Sequence, residues 1–104
     1  MLVLPIKKKW FNMIVLKEKE EEYRELSQYY KIRFKKIFDM YPYSYIPTGL
    51  DKRQLILRNG YSKKSPSCII TASLNIKTGK PEWGAEPGKE YYVLTIHDVK
   101  IFVN

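Results

Sequence analysis

The run Lys17-Glu18-Lys19-Glu20-Glu21-Glu22-Tyr23-Arg24 holds the residue types and spacing most able to do chemistry in this chain. If residues 17–25 are extended, Glu20, Glu22 and Arg24 share one side and Glu21, Tyr23 and Glu25 the other. Glu22 and Arg24 would then stand about 7 Å apart by backbone rise, close enough to pair or to share a ligand, and Lys19 could join them from the preceding turn. Arginine offers a planar fork for a phosphate or a base edge, lysine a mobile charge, and glutamate an acceptor for exocyclic amines or a base for proton removal. Taken alone, such a run also reads as a solvated ion-pair network on a barrel edge.

Other signatures are missing. The sequence has no GxxxxGK, GxGxxG, GxSxG, HExxH or CxxC. Its one histidine, His97, lies in a Val-, Leu- and Ile-rich stretch and is read as a hydrogen-bonded structural imidazole. Its one cysteine, Cys68, has no partner for an internal disulfide or a zinc site, which fits a reducing compartment. No metal and no cofactor are expected. No stretch approaches the ~20 apolar residues of a membrane-spanning helix, and the apolar opening 1–6 is too short for a signal-peptide core, so a cytoplasmic location without membrane contact is expected.

The formal net charge is +8, and its distribution is uneven. Residues 1–64 hold 15 basic and 7 acidic side chains, whereas residues 65–104 hold 4 of each. A basic surface attracts polyanions by long-range field and counterion release, which points to RNA, DNA or nucleotides. Trp83, in a Pro- and Gly-bounded loop, and Tyr61, after the turn pair Asn59 and Gly60, could stack on bases; Trp10 falls at core helical spacing.

The elements that must position these residues follow from periodicity. Leu2, Val3, Leu4 and Ile6 enclose Pro5 and suit an edge strand, because proline cannot donate to a ladder. Trp10, Met13 and Ile14 fall at i, i+3 and i+4, which predicts a buried helix over 8–16. A strand over 17–25 follows, then a helix over 30–41 from the spacing of Tyr30, Phe34, Ile37, Phe38 and Tyr41. Residues 41–52, with Pro42, Pro47 and Gly49, form a loop. Strands are predicted over 53–58, 68–76, 91–96 and 99–103, with a turn-rich segment over 78–89. One domain over 1–104 is expected, of the α+β class: a small, partly open mixed β-barrel with two or three flanking helices.

The same residues carry a family resemblance. Lys19, Glu22 and Arg24 occupy the K, E and R positions of GxKxxExR, the motif that follows the first helix in the ASCH family of PUA-like barrels. Lys9-Trp10-Phe11-Asn12-Met13-Ile14, Glu22-Tyr23-Arg24-Glu25, Arg58-Asn59-Gly60-Tyr61 and the segment from Trp83 to Tyr92 also resemble a small bacterial or phage ASCH subgroup. Two departures stand out. Lys17 replaces the glycine that opens the motif, and Glu22 stands where relatives that act as acetylcytidine amidohydrolases carry a nucleophilic threonine.

The resemblance implies an RNA- or nucleotide-binding domain whose ligand contacts are drawn from Lys7, Lys8, Trp10, Lys19, Glu22, Arg24, Arg58, Tyr61 and Trp83. Lys19 and Arg24 would meet phosphate or base edges, Glu22 would orient Arg24 or read a base, and Lys7, Lys8, Lys31 and Lys35 would supply the steering field. The alternative is a hydrolase acting on modified nucleosides, or a ribonuclease, with Lys19 as activated amine or proton donor and Glu22 as general base. A third expectation is a protein-interaction domain that uses the tyrosines of 41–45.

Overall fold

The computed structural model describes residues 1–102 in the order β1 (Val3–Ile6), α1 (Lys8–Val15), β2 (Glu21–Arg24), α2 (Gln28–Lys35), β3 (Arg53–Asn59), β4 (Ser67–Thr78) and β5 (Glu90–Phe102), with one 3-10 turn at Pro81–Trp83. The strands form one mixed sheet in the order β1-β3-β4-β5-β2, parallel only between β1 and β3, which curls into a half-barrel with β1 and β2 as its two edges. Among the described residues, no helix is long and apolar enough to cross a membrane.

The concave face follows from alternation. Leu4 and Ile6 of β1, Leu55 and Leu57 of β3, Cys68, Ile70, Ala72 and Leu74 of β4, and Tyr92 and Leu94 of β5 are buried in one cluster. Phe11 and Ile14 of α1 join it, as do Phe34 of α2 and Phe38 beyond it. Burial pushes the Cys68 thiol up to about 11, so it is an inert core residue at neutral pH.

Several expected boundaries moved, each for a local reason. The helix expected to run to Tyr41 stops at Lys35. Beyond it, Asp39 N–H donates to Asp51 Oδ2 at 3.0 Å and Met40 bridges to Pro47, so tertiary partners take the groups that a longer helix would use. Tyr41, expected on the buried stripe, is 53% exposed. The strands expected over 91–96 and 99–103 are one strand as far as Phe102, while Val103 lies outside the described residues. Ala72 pairs with Ile96 and Thr71 with Asp98, so His97 is the extra residue of a β-bulge. Its Nε2 shares a 2.9 Å hydrogen bond with Ser73 Oγ.

Helix α1 ends in a Schellman motif: Lys17 N–H donates to the Ile14 carbonyl at 3.0 Å and Glu18 N–H to that of Met13 at 2.8 Å. Lys17 takes φ 62, the left-handed conformation that glycine adopts most cheaply. Lys17 thus makes a left-handed turn with a side chain in it. A left-handed non-glycine costs ~1–2 kcal/mol, and glycine's extra chain entropy gives back part of that. Lys17→Gly is expected to raise stability by about 1 kcal/mol, or roughly 4–8 °C in thermal midpoint for a domain of this size. A lower midpoint for the variant would contradict this account of the turn.

Candidate functional site

The charged run folds as alternation requires. Glu22 pairs with Leu94 and Arg24 with Tyr92, so both lie on the core-facing side of β2, while Tyr23, opposite Val93, lies on the other. Glu22 is buried between two cations. Its Oε1 accepts from Lys19 Nζ at 3.1 Å and its Oε2 from Arg24 Nη2 at 2.8 Å.

Lys19 has no exposed side-chain surface. Its ammonium also donates to the Glu21 carbonyl and sits 4.8 Å from the Tyr23 ring centre and 5.3 Å from that of Trp10. Burial lowers its pKa from the ordinary lysine value, against the opposing pull of Glu22. Lys19, expected to meet phosphate or base edges, does not line the cleft described below: its ammonium is turned to Glu22 and the Glu21 carbonyl, and two aromatic faces and two oxygens replace its water.

Arg24 does more than pair with Glu22. Leu2 and Ile6 turn their carbonyls to Ile56 and Gly60 N–H groups of the β3 side, so the alternate carbonyl, that of Pro5, faces the free edge. Arg24 Nη2 donates to it at 2.8 Å, and Nη1 donates to Tyr30 Oη at 3.2 Å. One guanidinium thus ties β2, β1 and α2 together across the open side of the half-barrel. Burial would lower its pKa, but the Glu22 charge and the hydrogen bonds to Tyr30 and Glu22 outweigh burial and hold it above the ordinary value.

Above this floor opens a cleft of about 580 Å³. It brings together Lys7, Lys8, Trp10, Glu22, Arg24, Tyr61 and Trp83, which the sequence had singled out. Lys7 and Lys8 are exposed at the rim, and Tyr61 is 89% exposed. Arg58 is not brought in: it lies opposite Pro5 on β3, in register with the residues that face away from the core.

The sequence reading missed the residues that hold the Trp83 loop. Tyr23 Oη accepts from Lys80 N–H at 2.9 Å and Tyr91 Oη from Glu86 N–H at 3.0 Å, so two strand tyrosines pin the loop at both ends. Gly84, at φ 98, lies so close to Trp10 that an added Cβ would stand 2.9 Å from its ring. Trp10 and Trp83 are thereby fixed on neighbouring walls. The visible signal was Tyr23, an aromatic on a strand's second face with no apolar neighbour in sequence; its partner Tyr91, with which it packs half-buried, lies far along the chain. Three basic and three acidic side chains line the cleft, namely Lys7, Lys8 and Arg24 against Glu22, Glu25 and Glu86, so the excess charge of the chain is not concentrated there.

Compared with known proteins, the chain matches no family model, no curated protein and no solved structure.

Two outcomes follow from the buried trio. Arg24→Ala leaves Glu22 one partner short and Pro5 without a donor, and is expected to lower stability by about 3 kcal/mol in denaturant unfolding, not merely to weaken binding. An unchanged midpoint would contradict the bridging role. Because the folded-state pKa of Lys19 lies below the unfolded one, the unfolded chain binds more protons in the alkaline window beneath 10.5. This residue's contribution should thus rise as pH climbs through that window and fall away as pH drops below the folded pKa. Lys19→Met should flatten that slope in pH-dependent unfolding, and an identical slope would contradict it.

Proposed function

We propose that the chain is an RNA- or nucleotide-binding domain of the ASCH type, built on a PUA-like barrel, and that the cleft between Trp10, Trp83 and Tyr61 receives the ligand. The observation that supports this most is the convergence of seven candidate residues, separated by up to 76 positions in sequence from Lys7 to Trp83, on one cleft. Aromatic faces stack on bases irrespective of sequence, and Lys7 and Lys8 at the rim suit the phosphate of the same nucleotide. Arg24, 12% exposed at the side chain, lines the cleft beside the Glu22 carboxylate. Its Nη atoms are taken by Glu22, Pro5 and Tyr30, so the pair serves as the floor of the cleft, and the contacts proposed for the ligand are the aromatic faces and the rim lysines.

The hydrolase reading has less support. Both Glu22 oxygens are engaged by cations, and Lys19 lies behind the cleft wall, so neither is placed as a free base or nucleophile. Recognition needs no such group.

Fluorescence anisotropy of a labelled 12-nucleotide single-stranded RNA provides the test. With the two phosphates that Lys7 and Lys8 would neutralise, the logarithm of affinity should fall with the logarithm of salt at a slope of roughly −1.4. Trp83→Ala should weaken binding about tenfold at fixed salt, as loss of one base stack does. No binding at low salt, or an unaltered affinity for Trp83→Ala, would sink the proposal.

A further inference from the structure

The cleft leaves much of the molecule's charge and aromatic surface unexplained. From Gln28 to Phe38 the chain carries Lys31, Arg33, Lys35 and Lys36 and no acidic residue, in contrast to the balanced lining of the cleft. Packed against this helix is the loop 41–46. Its Tyr45 ring lies 5.1 Å from the ammonium groups of both Lys31 and Lys35.

The loop is held in shape by its own backbone. Tyr41 N–H donates to the Ile46 carbonyl at 2.8 Å, Tyr45 N–H to that of Tyr41 at 3.0 Å, and the flanking Met40 and Pro47 form a β-bridge. Tyr43 and Tyr45 adopt φ 69 and φ 54, a left-handed conformation that bulky side chains rarely enter. The outcome is a ring, Tyr43, that is 97% exposed at the tip of a tied loop, flanked by the half-exposed Tyr41 and Tyr45. Strain of this kind persists only where surrounding contacts over-determine it, and it clusters at ligand clamps.

We propose that this tyrosine loop, together with Lys31 and Lys35, is a second binding site for single-stranded nucleic acid, separate from the cleft, in which an unpaired base stacks on Tyr43 and the lysines take the adjoining phosphates. The charge decides the partner. A patch of rigid rings beside cations, with no acid on the neighbouring helix, complements a polyanion that carries its own aromatic faces. A lipid surface would instead be met by a broad apolar face with Trp, Phe and Leu, whereas among the described residues the exposed apolar side chains beside this tip are two, Ile46 and Leu50.

The experiment measures anisotropy of a labelled 12-nucleotide oligothymidine with the wild type, Tyr43→Ala, Tyr43→Phe and the double variant Lys31→Gln/Lys35→Gln. Tyr43→Ala is expected to lose about tenfold in affinity and Tyr43→Phe less than twofold, because stacking needs the ring and not the hydroxyl. The double lysine variant should show a shallower salt dependence by one to two phosphate contacts. All of these variants are made in the Trp83→Ala background, so that the cleft does not mask the loop, and each loss is read against Trp83→Ala alone; if Trp83→Ala itself leaves wild-type affinity unchanged, only the cleft reading fails. Unchanged affinity on adding Tyr43→Ala, or equal losses with Ala and Phe, would overturn the second site. So would binding to phosphatidylserine vesicles that Tyr43→Ala abolishes while oligothymidine binding stays intact.

Discussion

A sheet that curls without closing leaves two edges that face each other across a gap, and everything in this protein's cleft depends on how that gap is spanned. Direct pairing of β1 with β2 does not occur; a side chain bridges them instead. Pro5 has no N–H, so the free edge of β1 presents an acceptor with no donor beside it, and the Arg24 guanidinium meets that acceptor. A charged donor to a carbonyl is worth ~1.5–3 kcal/mol when buried, but a buried arginine alone would cost more than that in lost hydration. Glu22 offsets the cost, and Lys19 completes the neutralisation of Glu22 from below. The three charges form one unit, with its net positive charge held against the faces of Trp10 and Tyr23.

This unit turns a seam into a floor. Because side chains and not a strand ladder span the gap, a space remains above them, and Trp10, Trp83, Tyr61 and the start of α1 wall it in. The loop bearing Trp83 would be a floppy connection by composition, yet Tyr23 and Tyr91 fasten it to the sheet. The two tryptophan walls are thus mounted on a helix and on a fastened loop, an arrangement that would suit a pre-formed site over one ordered by a ligand.

Much of this was legible in the sequence because the period of a strand is two. The alternation of Glu22 and Arg24 against Tyr23 placed the pair on one face, and Pro5 within an apolar run marked β1 as an edge. The stripe Tyr30, Phe34 and Phe38 located α2, although it did not reveal that Asp51 and Pro47 would draw residues 39 and 40 out of the helix. What periodicity could not disclose was depth. A lysine in a run of glutamates looks solvated, and only the tertiary fold shows Lys19 sealed behind Trp10. Nor could spacing disclose a bulge: one extra residue at His97 splits the apolar pattern of β5 and makes a single strand look like two.

The central claim is that closure by the buried trio creates a cleft that takes a nucleotide base between fixed aromatic walls. A 1H–15N titration with a short single-stranded RNA tests it most directly, read at the two tryptophan indole N–H groups. The account predicts that the Trp10 and Trp83 indole resonances move together with the backbone amides of Ile6, Lys7, Gly60 and Glu86, all of which line the cleft. Saturating RNA that shifts resonances elsewhere on the protein while leaving both indoles in place would contradict it.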